Sequence, residues 1–117
     1  MSLAVRRAYE EPGPADGTRV LVDRLWPRGL SKDRAALDDW LRDVAPSDGL
    51  RRWYGHDPAR FAEFSERYRA ELSDPEHAEA LARLRGYLRA GPVTLLTATR
   101  DLALSHATVL ASVIEPR

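Results

Sequence analysis

Asp23, Arg24, Trp26 and Arg28 crowd the end of a short apolar run, Val20-Leu21-Val22, and are punctuated by Pro27 and Gly29. A carboxylate can serve as a general acid or base, and guanidinium groups can hold an anion through paired hydrogen bonds. An indole can pack against a planar ring. Lys32 follows as a compact point charge, the only lysine in the chain. A second polar group, Arg100, Asp101 and His106, comes after the apolar run Val93 to Ala98. His106, a residue type with an ordinary pKa of about 6.5, is a candidate acid–base partner for Asp23. These types point to a site for a small anion such as a nucleotide or phosphorylated metabolite. Asp23 and His106 would supply acid–base chemistry, and Arg24, Trp26, Arg28, Lys32, Arg100 and Asp101 would hold the ligand. Arg51, His56 and Arg67 form a second tier of candidates.

Each residue also has a plainer reading. Asp23 and Arg24 could close the turn as an ion pair, and Trp26 could simply pack. His106 could bond a loop carbonyl, and His56, just before a helix cap, could fix its loop. Arg60, Glu63, Arg67 and Glu71 fall in a line on one helix, a pattern typical of solvated ion pairs. With Arg51 and Arg52, that line supplies the alternative function: an arginine stripe for nucleic acid or a protein partner.

The two polar groups meet only if the elements before them end at one edge. Leu3 to Tyr9 reads as a strand, Glu11 to Gly17 as a turn-rich connection, and Thr18 to Leu25 as a second strand. Ser31 is placed to cap a helix reaching about Val44, with Leu37, Trp40, Leu41 and Val44 inward. Ser47 can cap a short helix carrying Leu50, Trp53 and Tyr54. Asp57-Pro58 starts a helix to about Leu72, with Phe61, Phe64, Tyr68 and Leu72 as its apolar stripe. Asp74-Pro75 starts another, ended by Gly91-Pro92. Val93 to Ala98 does not alternate, as expected of a strand buried on both faces, and a final helix carries His106. Helices between apolar strands imply parallel β–α–β units. The expected fold is therefore a compact α/β sandwich, with a small, mostly parallel three-stranded sheet and four to five flanking helices. Parallel strands end together, which would bring Asp23–Lys32 opposite Arg100–His106.

Composition narrows the remaining classes. A chain of 117 residues is the size of one domain, read here as 1–117. It contains no cysteine, which removes disulfides, thiolate nucleophiles and cysteine metal ligands. Three scattered histidines show none of the usual metal-ligand spacings, so neither a metal nor a cofactor is expected. Eighteen basic residues balance eighteen acidic ones, which disfavours a general polyanion surface. No stretch approaches transmembrane length and the start lacks a signal-type apolar segment, so a cytoplasmic protein is expected.

Leu21-Val22-Asp23-Arg24-Leu25-Trp26-Pro27-Arg28-Gly29 with Lys32 resembles the YeaO-like branch of the "domain of unknown function 488" family. So do Trp40, Ala45-Pro46-Ser47, Leu50-Arg51, Trp53, His56-Asp57-Pro58, Phe64, Arg67-Tyr68 and Glu71-Leu72. Val93 to Leu96, Arg100-Asp101 and His106-Ala107 match near the end. The resemblance implies a small cytoplasmic α/β protein and brings no activity, substrate or cofactor with it. Longer members carry cysteines after the last strand, where this chain has Thr97 and Ser105, so thiol chemistry does not transfer. They also carry a helix between the first two strands. By that analogy strand one runs parallel, whereas the short Glu11–Gly17 loop favours antiparallel.

Overall fold

Val93–Thr97 forms β4, and every one of its residues is buried, as a strand covered on both faces requires. β4 pairs in parallel with β1 (Leu3–Arg7) on one side and β2 (Thr18–Leu21) on the other. β2 pairs in parallel with β3 (Asp39–Trp40), so the order is β1-β4-β2-β3. The structure is a computed structural model and describes residues 2–115. The sheet has four strands, one more than expected, because Asp39–Trp40 lies in strand rather than helix.

Alternate residues of a strand face opposite ways, and the register stacks like with like. Val20 sits beside Leu95, and both enter the larger core with Val22 and Val93. Leu21 sits beside Leu96, and both enter a smaller core on the other face with Ala8, Leu30 and Ala35. The larger core is closed by α2 (Asp48–Tyr54), α3 (Phe61–Leu72), α4 (Pro75–Ala90) and α5 (His106–Ile114). The smaller one is closed by α1 (Lys32–Ala35) and the loop after β2. Among the described residues no helix is long and apolar enough to cross a membrane.

The direction of β1 is parallel, and its neighbour is β4 rather than β2. The connection from β1 to β2 passes β4 without a helix and is pinned by Asp16. That residue's carbonyl accepts from Thr94 Oγ1 at 2.8 Å, and its buried carboxylate takes the Gly13 N–H and ion pairs with Arg6 and Arg19. Gly17 follows with φ of +64°, and a Cβ there would stand 2.1 Å from the Pro92 carbonyl oxygen. Only glycine fits that approach, which lets the Thr18 N–H reach Pro92 and start β2.

The helix expected from Ser31 to Val44 stops after one turn. Ser31 caps it as expected, accepting from Arg34 N–H, but Ala36 is left-handed at φ 47°. The cause is Arg19, whose buried guanidinium donates to the carbonyls of Ala35 and Ala36. Those oxygens are the acceptors a longer helix would need. Beyond them Asp38 exchanges bonds with the Arg19 backbone and Leu41 N–H reaches Leu21, so strand pairing replaces helix. Trp40 consequently sits on β3, while Leu41 and Val44 still reach the larger core. The remaining starts agree with expectation: Ser47 caps α2, and Asp57 with Pro58 opens a short 3-10 turn before α3. Asp74 occupies the N-cap position of α4, although its side chain makes no capping bond.

Candidate functional site

The loops after β2 and β4 leave the sheet at one edge, and Asp23 joins them. Its Oδ2 accepts the Ala98 N–H at 2.8 Å, and its Oδ1 lies 3.3 Å from His106 Nε2. His106 opens α5, which Ser105 caps by accepting from Thr108 N–H. The same Nε2 lies 3.0 Å from the Val22 carbonyl oxygen. Both neighbours of Nε2 are acceptors, so that nitrogen carries the hydrogen. Burial lowers the His106 pKa from its ordinary value; the Asp23 carboxylate and Val22 carbonyl pull the other way, and Arg51 and His56 reinforce the lowering.

This pair stands in a cleft of about 1060 Å³ between the two loops, α2 and the start of α5. Arg24 does not pair with Asp23. It turns to Asp48 at the start of α2, at 3.3 Å, and Arg51 donates to the same carboxylate oxygen. The bond from Arg51, with Arg24 and Arg52 near, holds Asp48 below the usual carboxylate range. Trp26 donates its indole N–H to the Leu30 carbonyl at 2.6 Å and meets Trp40 edge-on at 5.4 Å. Trp40 in turn donates to the Asp23 carbonyl at 2.7 Å, so the second core supports the loop from below. Tyr9, in the turn after β1, holds the same loop by donating to the Arg28 carbonyl at 2.8 Å. Leu25, expected inside the second strand, stands 68% exposed at the cleft because β2 ends at Leu21.

On the opposite wall Tyr54 stacks on Phe64 at 4.2 Å and donates to the Leu104 carbonyl. Burial pushes its phenol pKa up, with Asp101 and Asp57 adding to the effect. His56 lines the cleft at φ 56°, directly after Gly55 at φ 54°. A left-handed histidine stores about 1–2 kcal/mol of backbone strain, and such strain collects at functional positions.

Asp23, Arg24, Trp26, Arg28, Arg51, His56, Arg100, Asp101 and His106 therefore share one cleft, and Lys32 and Arg67 lie outside it. Asp101 also works locally, accepting the Ala103 N–H to start a 3-10 turn. Sequence reasoning missed Tyr9, Asp48 and Tyr54, and it assigned Arg52 to the stripe rather than the cleft. Asp48-Arg51-Arg52 on a helix capped by Ser47 was the available signal for α2. The stripe itself is internally committed. Arg60 pairs with Asp57, Arg67 with Glu63, and both guanidinium groups lie over the Trp53 ring. Glu71 instead accepts both the N–H and the hydroxyl of Ser47, fastening α3 to the start of α2. Elsewhere, Asp74, Glu76 and His77 bring ligand atoms within 4.8 Å of one another at the start of α4, where a helix dipole favours acidic groups.

Residues 2–117 match the family described as "Inactive DUF488-N3 subclade". A Mycobacterium tuberculosis H37Rv protein named "Uncharacterized protein Rv3073c" is 51% identical over 113 residues, covering 97% of this chain and 93% of its own. The Escherichia coli K12 protein named "Uncharacterized protein YeaO" is 39% identical over 111 residues, 95% of each chain. No solved structure matches the chain significantly. The chain thus belongs to the domain of unknown function 488 family, in the YeaO-like branch whose subclade is described as inactive.

Proposed function

We propose that the cleft binds a small anionic molecule of the nucleotide or phosphorylated-metabolite class, in the cytoplasm. The observation that carries this reading is the excess of arginine over acid along the cleft. The whole chain is formally neutral, yet five arginines and three aspartates line the cleft. Asp48 is already matched by Arg24 and Arg51, and Asp23 is tied to Ala98 and His106. Arg28, Arg52 and Arg100 form no ion pair among the described residues, so their charge is available to a ligand. Guanidinium groups bind phosphate oxygens through charge-assisted, often bidentate bonds. Trp26 and Tyr9 beside Arg28 add ring surface for an organic portion. In this reading Asp23 and His106 bind and orient rather than turn over, in keeping with the description of the subclade as inactive.

The test is thermal shift of the purified protein against nucleotides, phosphorylated metabolites and inorganic anions, with Arg28→Ala/Arg100→Ala as control. A ligand at about 100 times its Kd stabilises the native state by about 2.7 kcal/mol. For a chain of this size that raises Tm by several degrees. The expected result is a shift from one anionic class that the double variant loses. Absence of any shift with a well-folded control would remove the reading.

A further inference from the structure

We propose that an anion entering the cleft binds together with one proton, taken from solvent by Nδ1 of His106. The proposal rests on the anion-binding reading and deepens it: it assigns a proton-coupled contact within that site. His106 Nε2 lies 3.0 Å from the Val22 carbonyl oxygen and 3.3 Å from Asp23 Oδ1. A backbone carbonyl can only accept, so Nε2 keeps its hydrogen in both the neutral and the charged ring. The nitrogen that gains or loses a proton is therefore Nδ1. It makes no hydrogen bond among the described residues, it is not among their sealed polar atoms, and His106 lines the cleft. In the proposed contact Nδ1 faces the space where the ligand would sit.

In the neutral ring Nδ1 presents a lone pair, which opposes the oxygen of an anion. With a proton it becomes a charge-assisted donor to that same oxygen. The surroundings are arranged so that the proton is held only when the anion is present. On the Nε2 side, Asp23 Oδ1 is buried with no hydrogen-bond partner, a counter-charge waiting for an imidazolium. Against uptake stand Arg51 of α2 and His56 after it, together with burial itself. Tyr68 of α3 meets the ring edge-on at 6.0 Å, and burial keeps its phenol neutral. The loop after β4 adds Arg100 and Asp101 to the same cleft. An anion among these arginines offsets the positive field that opposes the proton, so the two bind in concert.

Sulfate is the probe, because it stays dianionic and cannot itself titrate near neutrality. Its affinity for the full chain is measured by calorimetry between about pH 5.5 and 8.5, with His106→Gln and His56→Asn alongside. The glutamine amide can still donate to the Val22 carbonyl but cannot titrate, and asparagine suits the left-handed backbone at position 56. The expected result is a wild-type Kd that rises by up to about tenfold per pH unit above the His106 pKa. That slope should vanish in His106→Gln and persist in His56→Asn. A sulfate affinity independent of pH overturns the proton while leaving the anion reading intact. A slope lost in His56→Asn but kept in His106→Gln overturns the assignment to His106. Failure of sulfate to bind at any pH also overturns the proposal, whereas the anion reading stands or falls on the thermal-shift screen. Should the glutamine variant not fold, wild-type titrations in two buffers of different ionisation enthalpy count the proton directly. About one proton taken up per sulfate above the pKa is expected, and none overturns the proposal.

Discussion

Asp23 divides its two oxygens between different elements, one on the Ala98 N–H and the other beside His106. Removing the carboxylate leaves a part-buried backbone donor without its acceptor, a loss of about 1–3 kcal/mol. Asp23→Ala should therefore lower the urea midpoint with an unchanged slope, and an unaltered midpoint would mean water replaces the bond at no cost. The pH dependence has a defined sign. Burial lowers the His106 pKa, so around pH 6 the folded state binds fewer protons than the unfolded one. Its contribution to stability is present above about pH 6.5 and is lost as pH falls through the unfolded value towards the folded one. Asp23 opposes the lowering, so its removal depresses the folded pKa further and enlarges the loss. Unfolding free energies at about pH 7.5 and 5.5 should fall further apart in Asp23→Ala than in the wild type. A gap no wider than that of the wild type would show that the carboxylate does not raise the His106 pKa.

Between elements, one buried arginine decides more than any helix propensity. Arg19 lies in the middle of β2, yet its guanidinium ends α1 by taking two carbonyls and closes the β1–β2 connection through Asp16. Both members of that pair are buried, so removing one leaves an uncompensated charge, a cost of about 3–5 kcal/mol. Asp16→Ala should be destabilised on that scale in chemical denaturation; a loss typical of a surface pair would mean Arg19 finds other acceptors. The Gly13 N–H, the largest influence, together with Arg19 and Arg6, holds the Asp16 pKa below its ordinary value of 3.8. This contribution is therefore present above that value and lost as pH falls through it towards the lowered folded pKa. The same arginine marks where the sequence stops being legible. Caps such as Ser31, Ser47 and Asp57 act over a few residues and could be read locally. The extent of α1 could not be, because its terminating donor, Arg19, lies on β2, outside the helix. β3 was hidden for the same reason: Asp39–Trp40 is a strand only by pairing with β2.

At the scale of the molecule, the edge where the cleft lies was legible because parallel strands must end together, and that rule needs only the strand positions. What could not be read was the pairing within it. Arg24 lies next to Asp23 in the chain but turns to Asp48 across the cleft, and Arg51 and Arg52 join the cleft because α2 packs over that edge. This redistribution bears on which polyanions the protein can hold. Duplex DNA offers a regular row of phosphates, and binding it requires several free cations along one extended face. The α3 face does not supply them: Arg60 and Arg67 are paired with acids and lie over Trp53. Arg28, Arg52 and Arg100, which form no ion pair among the described residues, instead line a single concave space in a molecule measuring 35 × 31 × 23 Å. Fluorescence anisotropy with a duplex at physiological salt should accordingly give a Kd no tighter than the non-specific range of about 10⁻⁴–10⁻⁶ M. Arg60→Ala/Arg67→Ala should leave that binding unchanged. Tight binding with a steep salt dependence, lost in this double variant, would reverse the assignment. The α3 face would then be the working surface, with its ion pairs opening to meet phosphate.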